Sequence, residues 1–397
     1  MPSTGPSNNP QGVHFVGSLP LPTTRDVFEL LGTTMTSHVR RIPDGEPSSR
    51  KNFVQFQRDL FLPYPQLVNS RHNPTATSGQ PLTDVDAVTR HLERLETGYD
   101  AAAIASYATF TDMRTHWSSS SSSMTPDGCD DGVKFQVGIP TPLNALTAIV
   151  APNYKAFVEP HYTAALKRAL ARIQAAIPHR DLAIQIDCAH EFAVLEEAWA
   201  RVDGMERSKP WWCDVDGDGD GGPPTDTLHA AIFRGVVDRV VAFAGADHIA
   251  PDVELGLHFC YGDFGHKHFL EPTDTRTMVR AALAILPRLG RRVNYIHMPV
   301  PRGRDDEAYF APLVDLLPLL RAHGTVLYLG LVREGDEAGT VRRIETARRV
   351  VDGDGTGVPG TPPLTWGIAT ECGMGRMKTE DVPWTLDVMK KLARPIR

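Results

Sequence analysis

About eight apolar runs of strand length recur along the chain, most of them followed by a segment with apolar residues at three- and four-residue spacing. This alternation narrows the possible folds more than any other feature, because strands interleaved with helices pair in parallel while each helix returns the chain across the sheet. The runs are Val13 to Val16, a weaker His38 to Ile42, Val133 to Val137, Leu182 to Ile186, Val253 to Phe259, Arg292 to Ile296, Thr325 to Leu331 and Leu364 to Ala369. The clearest helices are predicted over Tyr162 to Ile177, Thr227 to Phe243, Thr275 to Leu289 and Phe310 to His323. Together they predict an α/β chain of the (β/α)8, or TIM, barrel type, with functional groups at the C-terminal ends of the strands.

A length of 397 residues suits one such barrel over residues 13–397 with loop insertions. Residues 1–12 are rich in Pro, Ser, Asn and Gly and read as a loose tail without the basic-then-apolar order of a secretory signal. Insertions are expected at about residues 50–130 and 203–227. The first carries a helical stretch, Asp84 to Ala105, and the serine run Ser118 to Ser123, and reads as a surface excursion. The second contains Asp214-Val-Asp-Gly-Asp-Gly-Asp, which begins like a calcium loop. A bidentate Glu is required at the twelfth position, and Thr225 or Thr227 stands there, so an acidic loop is the expectation.

Composition closes off other classes. With 41% apolar and 22% charged residues and a net charge of −7, the chain has the make-up of a soluble globular protein and no basic surplus for nucleic acid. No apolar run approaches the roughly 18 residues of a membrane helix, so a cytoplasmic location is expected. Five cysteines at irregular spacing argue against a disulfide framework and leave thiolate chemistry open.

The sharpest local feature is Leu257-His258-Phe259-Cys260-Tyr261-Gly262-Asp263, closing the strand that begins at Val253. Alternation puts Val253, Leu255, Leu257 and Phe259 on one face and His258 and Cys260 on the other, about 7 Å apart along the strand. That spacing suits two ligands of one borderline metal ion, Zn²⁺ first. Cys372 follows the last strand in Thr370-Glu-Cys-Gly-Met-Gly-Arg376, and His297 follows the run Arg292 to Ile296. A barrel would bring all four donors to one rim. Alternatively, Cys372 packs under a glycine turn and His297 bonds a backbone carbonyl. Cys129 and Cys213 fall in the insertions, and Cys188 sits at a strand end on the face opposite Asp187.

These motifs, from Val16-Gly-Ser-Leu-Pro to Glu371-Cys-Gly-Met-Gly-Arg, resemble in order the catalytic barrel of cobalamin-independent methionine synthase, within the superfamily that includes uroporphyrinogen decarboxylase. The resemblance implies zinc held by His258, Cys260 and Cys372, with His297 where the family has a glutamate ligand. It also implies that Ser18 (in Gly17-Ser18), Glu46 (in Asp44-Gly-Glu-Pro) and Asp187 (in Gln185-Ile-Asp187) hold a homocysteine-like amino acid. The chain departs from the family in having Cys188-Ala189-His190 where Glu-Pro follows the aspartate, and no histidine in Leu329-Gly-Leu-Val-Arg-Glu-Gly. The N-terminal half of full-length synthases has no counterpart.

The expectation is therefore a zinc-dependent alkyl (methyl) transferase or C–S lyase acting on a small-molecule thiol or thioether, with the alkyl donor unassigned and neither nucleic acid nor membrane as partner. Two other readings stay open. One is a metal-free decarboxylase using Arg40, Arg41 and Asp44, and the other is a diverged small-molecule-binding barrel.

Overall fold

The computed structural model describes residues 10–117, 132–197, 210–213, 225–262, 268, 270–353 and 364–396. Its strands are β1 (Val13–His14), β2 (Arg41–Pro43), β3 (Lys134–Pro140), β4 (Leu182–Cys188), β5 (Glu254–Phe259), β6 (Tyr295–Pro299), β7 (Val326–Val332) and β8 (Trp366–Thr370). They form one sheet in the order β1-β8-β7-β6-β5-β4-β3-β2, parallel at every pair. The remaining gap, between β1 and β2, is spanned by Val13 N–H donating to His38 O at 2.7 Å and by a parallel bridge between Ser18 and Gly45. The sheet is thus a nearly closed (β/α)8 barrel, with helices on its outside.

The strands divide by period two. Leu255, Leu257 and Phe259 of β5, Ile184, Ile186 and Cys188 of β4, and Leu327, Leu329 and Leu331 of β7 all join the apolar core cluster. They meet the surrounding helices, each contributing roughly 1.5–3 kcal/mol of burial per large aliphatic side chain. The alternate positions point inward and include the polar residues Gln185, Asp187, His258 and Tyr328. Across the lumen, Tyr295 OH reaches Gln136 Oε1 at 3.3 Å and Gln185 Oε1 at 3.4 Å, while the Arg41 guanidinium lies 3.8 Å over the Tyr295 ring and pairs with Glu254 at 2.7 Å. Gly256 makes room for that ring: a Cβ there would stand 1.9 Å from it.

Local chemistry sets the outer elements. Helix Thr24–Thr34 starts at a capping box in which Thr23 Oγ1 accepts from Asp26 N–H and Asp26 Oδ2 accepts from Thr23 N–H. The expected helix over Phe310 to His323 is in three pieces, Glu307–Phe310, the 3₁₀ turn Ala311–Asp315 and Leu317–His323, because Pro312 and Pro318 each begin a new piece. The expected helix over Asp84 to Ala105 is two, Val85–Glu93 and Tyr99–Trp117, parted at Gly98 with φ 79°.

Nor is that segment a surface excursion. Tyr99–Trp117 is the crossover helix into β3, and its Phe110 packs edge-on against Phe28 and Trp117 and beside Phe135 of β3. Residues 1–9, the serine run, Cys129 and the acidic segment from Asp214 to Gly222 lie outside the described residues.

Candidate functional site

The register of three neighbouring strands lines up the residues that matter. Asp187 on β4 pairs with His258 on β5, which pairs with His297 on β6. Beyond Phe259, Cys260 N–H still donates to Cys188 O at 2.9 Å, so the strand geometry continues one residue and keeps Cys260 on the face of His258. Cys372 arrives on the loop after β8, and its Sγ is 3.7 Å from that of Cys260.

The ligand atoms of His258, Cys260 and Cys372 all lie within 4.8 Å of one another. One imidazole and two thiols form a donor set that fits a borderline or soft cation. Gly262 N–H donates to Cys260 Sγ at 3.2 Å. The loop bearing Cys372 is seated by Ser18, whose carbonyl accepts from Met374 N–H at 2.8 Å and whose Oγ accepts from Gly375 N–H at 3.3 Å. Glycine is required for this approach, since a Cβ on Gly373 would stand 2.3 Å from Ser18 Oγ.

His297 lies behind His258 and outside the converging group. Its Nδ1 is 2.7 Å from His258 Nδ1, and its Nε2 donates to Thr370 O at 3.0 Å. The sequence pointed to His297 as a fourth ligand, but both of its ring nitrogens are engaged elsewhere. Burial holds it neutral, depressing its pKa to about 3, and lowers that of His258 as well, with His297 adding to the effect.

Next to the thiols stands a pair of acids. Glu46 Oε1 and Asp187 Oδ2 both face Gly138, where a Cβ would be 3.3 Å from each. Burial, then the neighbouring Asp187 and Asp44 charges, push Glu46 up to about 8. Burial chiefly raises Asp187 to about 8, with Cys372 and Glu191 adding to the rise against the 2.8 Å hydrogen bond from Gln185 Nε2. Glu46 also sits at φ 52°, left-handed backbone that a non-glycine residue adopts at a cost. Asp44 holds that turn by accepting from Glu46 N–H at 2.9 Å while bound to Arg50 and Ser106. Ser18, Glu46 and Asp187 therefore share one end of the barrel with the candidate metal-binding group.

Of the residues named for a metal-free decarboxylase, Asp44 lies beside Glu46 in this group. Arg40 is exposed, Arg41 is paired with Glu254 at the start of β5, and Asp44 is committed to its turn. Cys188 faces the helices, 1% exposed, and burial carries its pKa well above the ordinary range, as expected of an inert core thiol.

Two groups of functional neighbours escaped the sequence. Gln185 bridges His14, Val16 O and Asp187, and its position two residues before Asp187 on one strand face was the available signal. His268 Nε2 pairs with Glu371 at 2.7 Å, Arg333 binds the other oxygen of Glu371, and Cys372 is the next residue. That clamp joins three loops and has no signature in local spacing.

No protein-family model and no curated protein matches the chain. No helix among the described residues is long and apolar enough to cross a membrane.

Proposed function

We propose that the chain is a zinc-dependent enzyme that makes or breaks a thioether C–S bond, an alkyl or methyl transferase or a C–S lyase acting on an amino-acid thiol such as homocysteine or on a thioether. The observation that carries this reading is the convergence of His258, Cys260 and Cys372 within 4.8 Å beside the Glu46 and Asp187 pair. A zinc ion held by these residues would supply the positive charge that brings a thiol, ordinarily near pKa 8.5, to its nucleophilic thiolate at neutral pH. The protein's own groups would do the rest.

Glu46 and Asp187 share a buried site in which two negative charges are unfavourable alone and are partly offset by an ammonium group. An α-amino group is such a cation, and its arrival would favour ionisation of the carboxyls. Ser18 fixes the Cys372 loop and supplies a hydroxyl close to the same end. The substrate would thus be oriented by its amino group, with its thiol directed toward the cysteines.

The resemblance to the methionine synthase barrel supports this reading through its motif order. The test is binding to the cobalt-substituted protein. Homocysteine should change the thiolate-to-cobalt absorption, and 2-aminobutyrate, which lacks the thiol, should not. Identical spectra with both compounds would count against a thiol substrate.

A further inference from the structure

We propose that His297 is a positioning residue of the metal centre: it holds His258 as the Nδ1–H tautomer, making Nε2 the ligating nitrogen, and is not itself a ligand. This rests on the reading that His258, Cys260 and Cys372 hold zinc.

The assignment follows from proton counting. Thr370 O can only accept, so His297 Nε2, 3.0 Å away, carries the ring hydrogen. A neutral imidazole has one such hydrogen, which leaves His297 Nδ1 as an acceptor. The atom facing it at 2.7 Å is His258 Nδ1, which must therefore donate. The lone pair of His258 is then on Nε2, the nitrogen His297 does not engage.

The same contacts tie two ligand-bearing strands together. Thr370 ends β8, and its Oγ1 donates to Cys372 O at 2.7 Å. A relay runs from His258 on β5 through His297 on β6 to Thr370 and the loop of Cys372, so one buried imidazole orients a nitrogen ligand and anchors the approach of a sulfur ligand. His297 is 0% exposed, and swinging it toward the thiols would abandon both hydrogen bonds. Metal-bound histidines depend on such a partner on the remote nitrogen. A neutral partner also differs in consequence from a carboxylate ligand: two thiolates and one imidazole balance the charge of Zn²⁺ without a third anion, leaving it more attractive to an incoming thiolate.

The experiment uses the full chain with His297→Ala, His297→Gln and His258→Ala. Long-range ¹⁵N–¹H spectra of the histidine rings in the wild type should show His258 protonated at Nδ1. His297→Ala should still bind one zinc per chain, with unchanged thiolate-to-cobalt absorption, but about 10–100-fold more weakly in chelator competition. His297→Gln, whose amide can accept from His258 and donate to Thr370, should recover most of that loss. His258→Ala should lose the nitrogen donor from the cobalt spectrum.

A loss of one nitrogen donor in His297→Ala, or a His258 ring protonated at Nε2, overturns the positioning role and leaves the zinc reading intact. A folded wild-type chain that takes up neither zinc nor cobalt overturns the functional reading and this inference with it.

Discussion

Cys260 and Cys372 are separated by 112 positions in the chain, yet their Sγ atoms stand 3.7 Å apart at one end of the barrel. Neither lies in a cysteine-rich motif. They meet because β5 and β8 run parallel in the same sheet and each carries its cysteine just past its C-terminal end. The contrast with Cys188 is instructive, since that residue ends β4 with its thiol among the helices. Strand parity places Cys260 in the converging group and Cys188 in the apolar core.

That contrast predicts opposite outcomes for two like substitutions. Cys188→Ser buries a hydroxyl in an apolar site and should cost about 1–3 kcal/mol of stability, read from denaturant midpoints, with metal content unchanged. Cys260→Ser should weaken metal binding and remove one sulfur ligand, and change little in the stability of the metal-free chain. If Cys188→Ser lost metal while staying folded, the division of the thiols would be wrong.

Packing inside the barrel predicts a severe effect from a small change. Gly256→Ala would bring a Cβ to within 1.9 Å of the Tyr295 ring, which is enclosed by Arg41, His14 and Tyr328. Overpacking at such a position costs about 1–3 kcal/mol or more, so the thermal midpoint should fall by several degrees. An unchanged midpoint would contradict the described lumen.

The acid pair predicts a pH dependence whose sign is fixed. Glu46 and Asp187 sit near 8 in the folded chain and about 4 when unfolded, so the folded state binds more protons between those values. Their contribution to stability is complete below pH about 4 and is lost as pH rises through 8. Glu191, raised to about 7, acts in the same direction, whereas His14, His258 and His297, all lowered, destabilise the fold only below their unfolded value of about 6.5. In chelator-treated protein the denaturant midpoint should therefore fall between pH 6.5 and 8, and fall less in Glu46→Gln. Calorimetry at pH 7 in buffers of different ionisation enthalpy should record proton release when homocysteine binds.

Much of this arrangement was legible in the sequence. Eight strand-length runs and the helices between them specified the barrel, and period-two alternation around His258 and Cys260 specified which face they share. The short strand β2, three residues long, and the proline breaks of the helix before β7 were less so, because neighbouring strands and single prolines decide them rather than propensity.

The role of His297 was hidden for a different reason. Spacing brought it to the right end of the right strand, but whether an imidazole coordinates a metal or supports another ligand depends on which hydrogen bonds its two nitrogens make. Thr370 O and His258 Nδ1 come from elements 73 and 39 residues away. The His268, Glu371 and Arg333 clamp is equally non-local.

The most direct test is the metal content and metal-edge absorption spectrum of the purified 397-residue chain. One zinc per chain is expected, with two sulfur ligands at about 2.3 Å and imidazole nitrogen at about 2.0 Å. Loss of a sulfur ligand is further expected in both Cys260→Ser and Cys372→Ser. A folded chain without stoichiometric zinc, or an edge spectrum without sulfur, would contradict the zinc reading.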